Sequence, residues 1–505
     1  MPILNFFQRG IVNDPRDQTN GVCRVVTNFD IVTNPNTLVP YVETEDGNSN
    51  ASNDLMANWC IANLSGTYKL YGLGRQTAAA RVRIFYKALT TGAATDLDDN
   101  AWTETSNNTA SAQTVSIPGI EANCFVYYPK LNMIFGLHGS RYVYEYDPDG
   151  GTAFNETDAD LTSYTHVAQG IVHSKDDILY IPYDNKIAKN DNGSWTVAAL
   201  TLPSQYYITS ICEFNNYIAI LCAHVDGVSN SRLFIWDRST TLATISESID
   251  AGSGVSKVLE EIGGYLVWIS LDGSNSTRFK DRIIFRYFTG AGYVQSKEIL
   301  VSTGANLLQS KQKINNRIYF MMAATLNGSV RSGVWSFGRL PDGTWNLVHE
   351  RTQQDDTAIG NGTLRGFFYV GDYLFQAFVD NSSVHQVTKT DDGQTYTHTS
   401  IYESQINPNM AVEDRLKLKQ LTSVVIGYET LAAVAGQVVV KYKVDGGSLT
   451  TIATCTTTGV NQLEFKDAAG VPFTKGREFE FKLESTLGAK IISFEYNYEP
   501  IPTLA

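Results

Sequence analysis

Seven histidines are the first residues to weigh for chemistry: His138, His166, His173, His224, His349, His385 and His398. A zinc hydrolase of the HExxH type needs two imidazoles one helical turn apart beside a glutamate, so that both reach one ion. No such spacing occurs, so each histidine reads as a surface or hydrogen-bonded structural imidazole, and no metal site is expected. Asp96, Asp98, Asp99 and Asn100 open like a calcium loop. Such a loop requires Gly at its sixth position and a bidentate Glu at its twelfth, and here those positions hold Ala101 and Asn107. The six cysteines, Cys23, Cys60, Cys124, Cys212, Cys222 and Cys455, form no CxxC pair, which predicts buried free thiols rather than a zinc or redox centre. No GxSxG, GxxxxGK[ST] or GxGxxG stands at a strand-to-helix junction, so no nucleophile elbow, phosphate loop or dinucleotide fold is expected.

Lys389 to Tyr396 (KTDDGQTY) resembles the aspartate box of sialidases. That box is itself a hairpin turn, and sialidase chemistry needs three clustered arginines and a tyrosine nucleophile that nothing here favours. The basic clusters Arg75 to Arg83 and Arg415 to Lys419 alternate with apolar or small residues, the pattern of solvated strand faces. The expectation is therefore a non-enzyme without cofactor: catalytic, cofactor-binding and metal residues are all assigned as none.

The elements that carry these residues repeat. An apolar segment, a tight turn and a run of aromatic and aliphatic residues recur from Phe125, Ile171, Ile211, Leu259, Lys311 and Phe367. The turn pairs Asn215-Asn216, Gly263-Gly264, Asn315-Asn316 and Gly371-Asp372 are residue types that accept the positive φ of two-residue hairpins. A third strand follows most copies, as in RLFIWD from Arg232 and RIIFRYF from Arg282. A fourth often follows a second turn, where Asp191-Asn192-Gly193 leads to Trp195, Asp342-Gly343 to Trp345 and Asp392-Gly393 to Tyr396. Phe135, Leu179, Ile218, Leu266, Ile318 and Leu374 are 44, 39, 48, 52 and 56 residues apart, which fits propeller blades of roughly 40 to 50 residues with variable loops. A looser unit, Asn58 to Gly74 followed by Ala80 to Leu89, makes seven blades if counted and six if not. Runs as apolar as YLVWI predict strands buried on both faces.

Beyond Pro408 the pattern changes to six alternating strands. The stretch Arg477-Glu478-Phe479-Glu480-Phe481-Lys482 has period two, with one face for a core and one for water. The fold class expected is all-β, a six- or seven-bladed β-propeller with a C-terminal β-sandwich. The divisions are 1–50, an N-terminal arm or ring-closing strand; 51–404, the propeller; and 405–505, the sandwich.

Composition bounds the function. The 505 residues exceed the roughly 250 to 300 of a single core. The net charge of −13 argues against sequence-specific nucleic-acid binding, which needs a basic surface. The most apolar long window, Leu421 to Val440, contains Ser423, Glu429 and Gln437 and cannot form a membrane span. Met1 to Gly10 lacks the pattern of a signal peptide.

This organisation resembles the virion tail proteins of tailed bacteriophages, in particular the hub or nozzle proteins of short-tailed phages. An MPI start, a short arm, an aromatic-rich propeller and the closing stretch Gly476 to Pro500 carry the likeness. The resemblance implies a homo-oligomeric, hexameric ring in the tail, assembled in the host cytoplasm. It implies partners in an adaptor above and fibres or a needle below, with genome DNA passing through the channel. The alternative is a receptor- or glycan-binding propeller of a tail fibre or surface protein, which would use exposed aromatic side chains.

Overall fold

The computed structural model describes residues 3–4, 10–11, 22–34, 36–41, 44–46, 58–76, 81–89, 102–104, 124–138, 141–149, 155–239, 247–273, 282–290, 292–300, 306–326, 329–352, 363–379, 385–390, 396, 399–430, 435–466 and 473–501. The chain forms two compact units. One comprises Thr44–Thr325 with Asp356–Thr390, and the other Met1–Glu43 with Leu326–Asp355 and Asp391–Ala505. Residues 1–43 and 326–355 group with the C-terminal residues.

The first unit is a seven-bladed propeller. Blade 1 holds Asn58–Leu64, Thr67–Gln76, Arg81–Leu89 and Thr103–Glu104. Blade 2 holds Phe125–Tyr128, Met133–His138, Tyr142–Tyr146 and Asn155–Asp160. In blade 3 are Ile171–His173, Ile178–Tyr183, Lys186–Asp191 and Ser194–Thr201. Blade 4 has Tyr206–Phe214, Tyr217–His224, Ser231–Trp236 and Glu247–Gly252, and blade 5 has Val255–Ile262, Tyr265–Asp272, Arg282–Phe288 and Tyr293–Leu300. Asn306–Ile314 and Arg317–Leu326 form the hairpin of blade 6. Blade 7 consists of Thr363–Val370, Tyr373–Val379, His385–Thr390 and, from the N-terminal region, Thr44–Asp46.

The first strand of each blade packs on the first strand of the next, and Thr363–Val370 returns to Asn58–Leu64. That closed circuit settles the count at seven. The looser unit from Asn58 is a full blade.

Each interblade layer is apolar. Cys212, Leu221 and Leu233 of blade 4 share a core with Leu259, Leu266 and Trp268 of blade 5. Trp59, Phe85 and Trp102 of blade 1 meet Phe375 and Val387 of blade 7. Leu266 through Ser270 are all buried, because a blade between two neighbours has no solvent face. Burying one such Leu or Phe stabilises the fold by about 1.5–3 kcal/mol. The two-residue turns form as expected. Phe214 pairs with Tyr217, Ile262 with Tyr265, Ile314 with Arg317 and Val370 with Tyr373, and Asn215, Gly263, Asn315 and Gly371 have φ of 56°, 56°, 53° and 58°.

One element differs from expectation. Asp392 and Gly393 lie outside the described residues, and Tyr396 is not in a strand. The fourth strand of blade 7 is Thr44–Asp46 instead, antiparallel to His385–Thr390, with Glu45 opposite Lys389. A strand contributed from the other end of the sequence closes a ring without leaving a free sheet edge between start and finish.

The second unit is a sandwich containing all six strands expected beyond Pro408. In one sheet Lys419–Thr430 lies between Lys490–Pro500 and Gly459–Lys466, with Ile3–Leu4 beyond Lys490–Pro500. In the other, Phe479–Thr486 lies between Gln437–Val444 and Ser400–Glu403, and Thr450–Cys455 flanks Gln437–Val444. Next to Ser400–Glu403 stands Val25–Thr27, which in turn bridges in parallel to Trp345–Thr352 through Thr27 and His349. Phe481 packs across the sheets, its ring 4.9 Å from Phe494 and 4.7 Å from Tyr496.

Candidate functional site

A cluster of proton-exchanging groups surrounds His173. His173 ends the first strand of blade 3, and the turn after it carries Ser174 and Asp176. Glu213 comes from the first strand of blade 4, and Arg238 from the segment after its third strand, Ser231–Trp236. The imidazole is fully buried, with Nδ1 3.6 Å from Asp176 Oδ1 and Nε2 3.9 Å from Glu213 Oε1. Arg238 Nη1 lies 3.2 Å from Nδ1, and the Lys175 amide donates to the same atom at 3.3 Å. Two donors at Nδ1 make it an acceptor, so the neutral ring carries its proton on Nε2, toward Glu213.

A general base needs a free lone pair within reach of substrate. Here Nδ1 is occupied, and Asp176 accepts from both Arg238 and the Tyr180 hydroxyl, the latter at 3.1 Å. Ser174 bonds Glu213 through its hydroxyl. This geometry ties blade 3 to blade 4.

Equivalent ties run round the ring. Tyr127 Oη donates to Asn63 O at 2.9 Å between blades 1 and 2, and Gln169 Nε2 to Phe125 O at 2.9 Å between blades 2 and 3. The Leu259 amide donates to Ser210 Oγ at 3.2 Å. Lys311 on blade 6 reaches Leu259 O on blade 5 and also Ile211 O on blade 4, the latter at 2.9 Å, while pairing with Glu260 at 3.0 Å. Gln312 makes a reciprocal pair with the Tyr369 backbone at 2.9 and 2.7 Å. Sequence reasoning missed Lys311. Its signal was a lysine in the first strand of a hairpin, where the neighbouring blades leave no water for an ammonium.

The other residues weighed from sequence are dispersed. His166 stacks on Tyr207 at 4.0 Å, its Nδ1 3.4 Å from Asp184. His224 lies 2.8 Å from Asp226, and His349 is buried in the sandwich unit. His138 and His385 occupy strands of blades 2 and 7. His398, the Asp96 to Asn100 stretch and residues 391–395 of the box-like segment lie outside the described residues. Among the described residues no group of three His, Cys, Asp or Glu could hold a metal ion. All six cysteines are buried and none is in a disulfide. Burial pushes the thiols of Cys60, Cys212 and Cys222 far up, Cys124 to about 12 and Cys455 to about 11, so none of these five presents a thiolate near neutral pH.

Arg75, Arg81 and Arg83 lie in the paired strands of the blade 1 hairpin, and residues 77–80 lie outside the described residues. Arg415 to Lys419 do not form a solvated strand face. Residues 415–418 precede the strand, and Lys419 at its start is buried.

Two surface features stand out among the described residues. At the rim of first-hairpin turns, Tyr68 and Tyr217 are 43% and 39% exposed, and Tyr265 meets Tyr287 edge-on at 5.6 Å. On the sandwich, Glu403, Ser404, Lys443, Gly447, Leu449, Glu480, Phe481 and Lys482 line a cavity of about 260 Å³. Its outward charges are interlocked: Lys443 bonds Glu480 at 3.2 Å, Lys482 bonds Glu484 at 2.9 Å and Lys441 bonds Glu484 at 2.6 Å. Burial pushes the Glu484 carboxyl up, but the two lysines outweigh it and hold it below its ordinary value.

The fold is an all-β propeller with a β-sandwich, held by apolar interblade layers and polar ties. No family model matches the chain, and no curated protein does. Among solved structures it is similar to an exo-β-1,3-galactanase of Phanerochaete chrysosporium, at 11% identity over 89% of this chain and 99% of the other, with a TM-score of 0.31. A puromycin-hydrolysing peptidase of Mycobacterium tuberculosis is similar at 9% identity over 72% and 60%, TM-score 0.40. The catalytic domain of an α-L-arabinofuranosidase of Coprinopsis cinerea follows at 11% identity over 61% and 93%, TM-score 0.26. At these values the likenesses say nothing of catalysis in this chain.

Proposed function

We propose that this chain is a structural component of a bacteriophage tail, a hub or nozzle subunit that builds part of the tail channel and docks other tail proteins. The observation that carries the reading is the tying of the propeller. Its ring is closed by a strand from the N-terminal region, and polar ties between blades supplement the apolar layers. Such a body resists deformation under load, because separating the tied blades breaks interblade hydrogen bonds as well as apolar contact. In this reading DNA passes through the ring of subunits and not along the propeller's own axis, where Lys311 already spans three first strands. The net charge of −13 suits a wall past which DNA moves without adhering.

Electron microscopy of the purified protein, with light scattering for mass, tests the proposal. A closed ring of copies, six in the expectation, around a channel wider than a DNA duplex supports it. A monomer absent from purified virions refutes it.

A second reading, a receptor- or glycan-binding propeller, is favoured by the exposed Tyr68 and Tyr217 at the hairpin rim, since tyrosine faces stack on sugar rings. Glycan-array binding lost in Tyr217→Ala would transfer the assignment to it.

A further inference from the structure

Lys419 opens the Lys419–Thr430 strand, and its side chain reaches the main chain of the segment before it. Nζ donates to Asp414 O at 2.9 Å, Arg415 O at 3.1 Å, Lys417 O at 3.0 Å and Arg477 O at 2.6 Å. The residue has no exposed surface. Among the described residues no carboxylate forms an ion pair with it; Asp414, Asp445 and Glu478 act only at longer range, and burial lowers its affinity for the proton. The same segment is fastened from other sides. Asn407 Nδ2 bonds Arg415 O at 3.2 Å and Arg477 O at 2.9 Å, and the Asp414 carboxylate accepts from Lys417 at 2.8 Å and from the Tyr498 hydroxyl at 3.0 Å.

Main-chain carbonyls converging on one positive centre are how proteins replace the water shell of a monovalent cation. An ammonium is close to a potassium ion in size and charge, but it is directional, with three donors for the four oxygens here. We propose that these four carbonyls form a monovalent-cation site filled by the chain's own ammonium, so that Lys419 serves as a tethered ion that shapes residues 410–418. Without a cation there, four inward carbonyls repel one another; Arg415 O and Arg477 O keep Asn407 Nδ2 and Asp414 O keeps the Lys417 amide, but each loses its ammonium bond, and the segment opens to hydrate them. The consequence reaches the surface, because this segment presents Leu416, 86% exposed.

Lys419→Ala removes the ion and leaves the oxygens. Limited trypsin digestion of the full chain, scored at Arg415 and Lys417, reads the segment directly, with thermal unfolding in parallel. Both are run in KCl and in N-methylglucamine chloride at about 0.3 M, enough to fill a weak site by mass action. In N-methylglucamine, Lys419→Ala is expected to be cut about tenfold faster than wild type or more, the sign of a locally opened segment. KCl should restore most of the protection, while wild type behaves alike in both salts. Lys419→Met fills the space without charge and should stay cleavable in both. If Lys419→Ala does not fold in N-methylglucamine, its refolding yield in KCl becomes the readout. Indifference of Lys419→Ala to potassium in cleavage, stability and refolding overturns the proposal, as does a Lys419→Met protein as resistant as wild type.

Discussion

Acidification should loosen the seam that holds Val25–Thr27, and the magnitude follows from one side chain. His349 is fully buried, stacked on Trp335 at 4.5 Å, with Nδ1 3.1 Å from Thr27 Oγ1. Burial, reinforced by the Arg331 charge and opposed by backbone hydrogen bonds, pushes its pKa down to about 3. An unfolded histidine titrates near 6.5, so below that pH the unfolded chain binds a proton that the folded chain refuses. The stabilisation is complete above about pH 6.5 and drains away as pH falls toward 3, at about 1.4 kcal/mol per pH unit. From pH 7 to 4.5 the loss is about 2–3 kcal/mol, a sizeable part of the ~5–15 kcal/mol that holds a domain folded. Urea unfolding at pH 7.0, 5.5 and 4.5, followed by tryptophan fluorescence, measures it, since Trp335 reports from the imidazole's own face. His349→Asn keeps an acceptor near Thr27 but cannot titrate. It should be weaker than wild type at pH 7 and lose less on acidification, so the two curves converge by pH 4.5. Parallel curves would show that His349 is not the acid-sensitive group, and the reasoning would fail.

Other outcomes can be checked similarly. Asp158 is raised to about 6 by burial and by Glu145, against the hydrogen bond from Trp195 at 2.6 Å. Because its folded pKa lies above the unfolded value, its contribution is lost as pH rises through 6, and Asp158→Asn should raise the thermal midpoint at pH 7.5 but not at pH 4. The group is half-exposed, so the gain is at most ~1 kcal/mol. Lys311→Met leaves the carbonyls of Ile211 and Leu259 without their ammonium donor and should cost about 1–3 kcal/mol in chemical unfolding, whereas an unchanged midpoint would discount the tie. Native maleimide labelling at pH 7.5 should modify none of the six cysteines within minutes, and all six after denaturation.

Much of the architecture was legible because its signals are local. Asn215, Gly263, Asn315 and Gly371 announce tight hairpins by residue type alone, and Phe479 to Lys482 announces a two-sided strand by alternation. The N-terminal contributions were not legible in detail. Val25–Thr27 and Thr44–Asp46 are three residues each, too short for any periodicity, and their partners lie hundreds of residues away. Blade 7 shows the same limit: an Asp-Gly turn before Tyr396 looks like the start of a fourth strand, and nothing nearby reveals that the place is taken. The site residues failed for another reason. For Lys311 the placement in an innermost strand between blades was a sign that went unread, whereas for Lys419 a sequence carries no sign that main-chain carbonyls, rather than water, will surround the ammonium.

The strand Thr44–Asp46 leaves the ribosome long before its partner His385–Thr390 exists. At about 5–20 residues per second, the gap lasts tens of seconds. During that interval the nascent chain can stack blades 1 to 6 but cannot lock them into a circle, and the last-made outer strand of each intermediate lies open to any passing strand. Productive synthesis thus favours conditions that slow aggregation rather than translation, such as low temperature or holdase chaperones. A transcript truncated before codon 385 should yield inclusion bodies even though most blades are encoded.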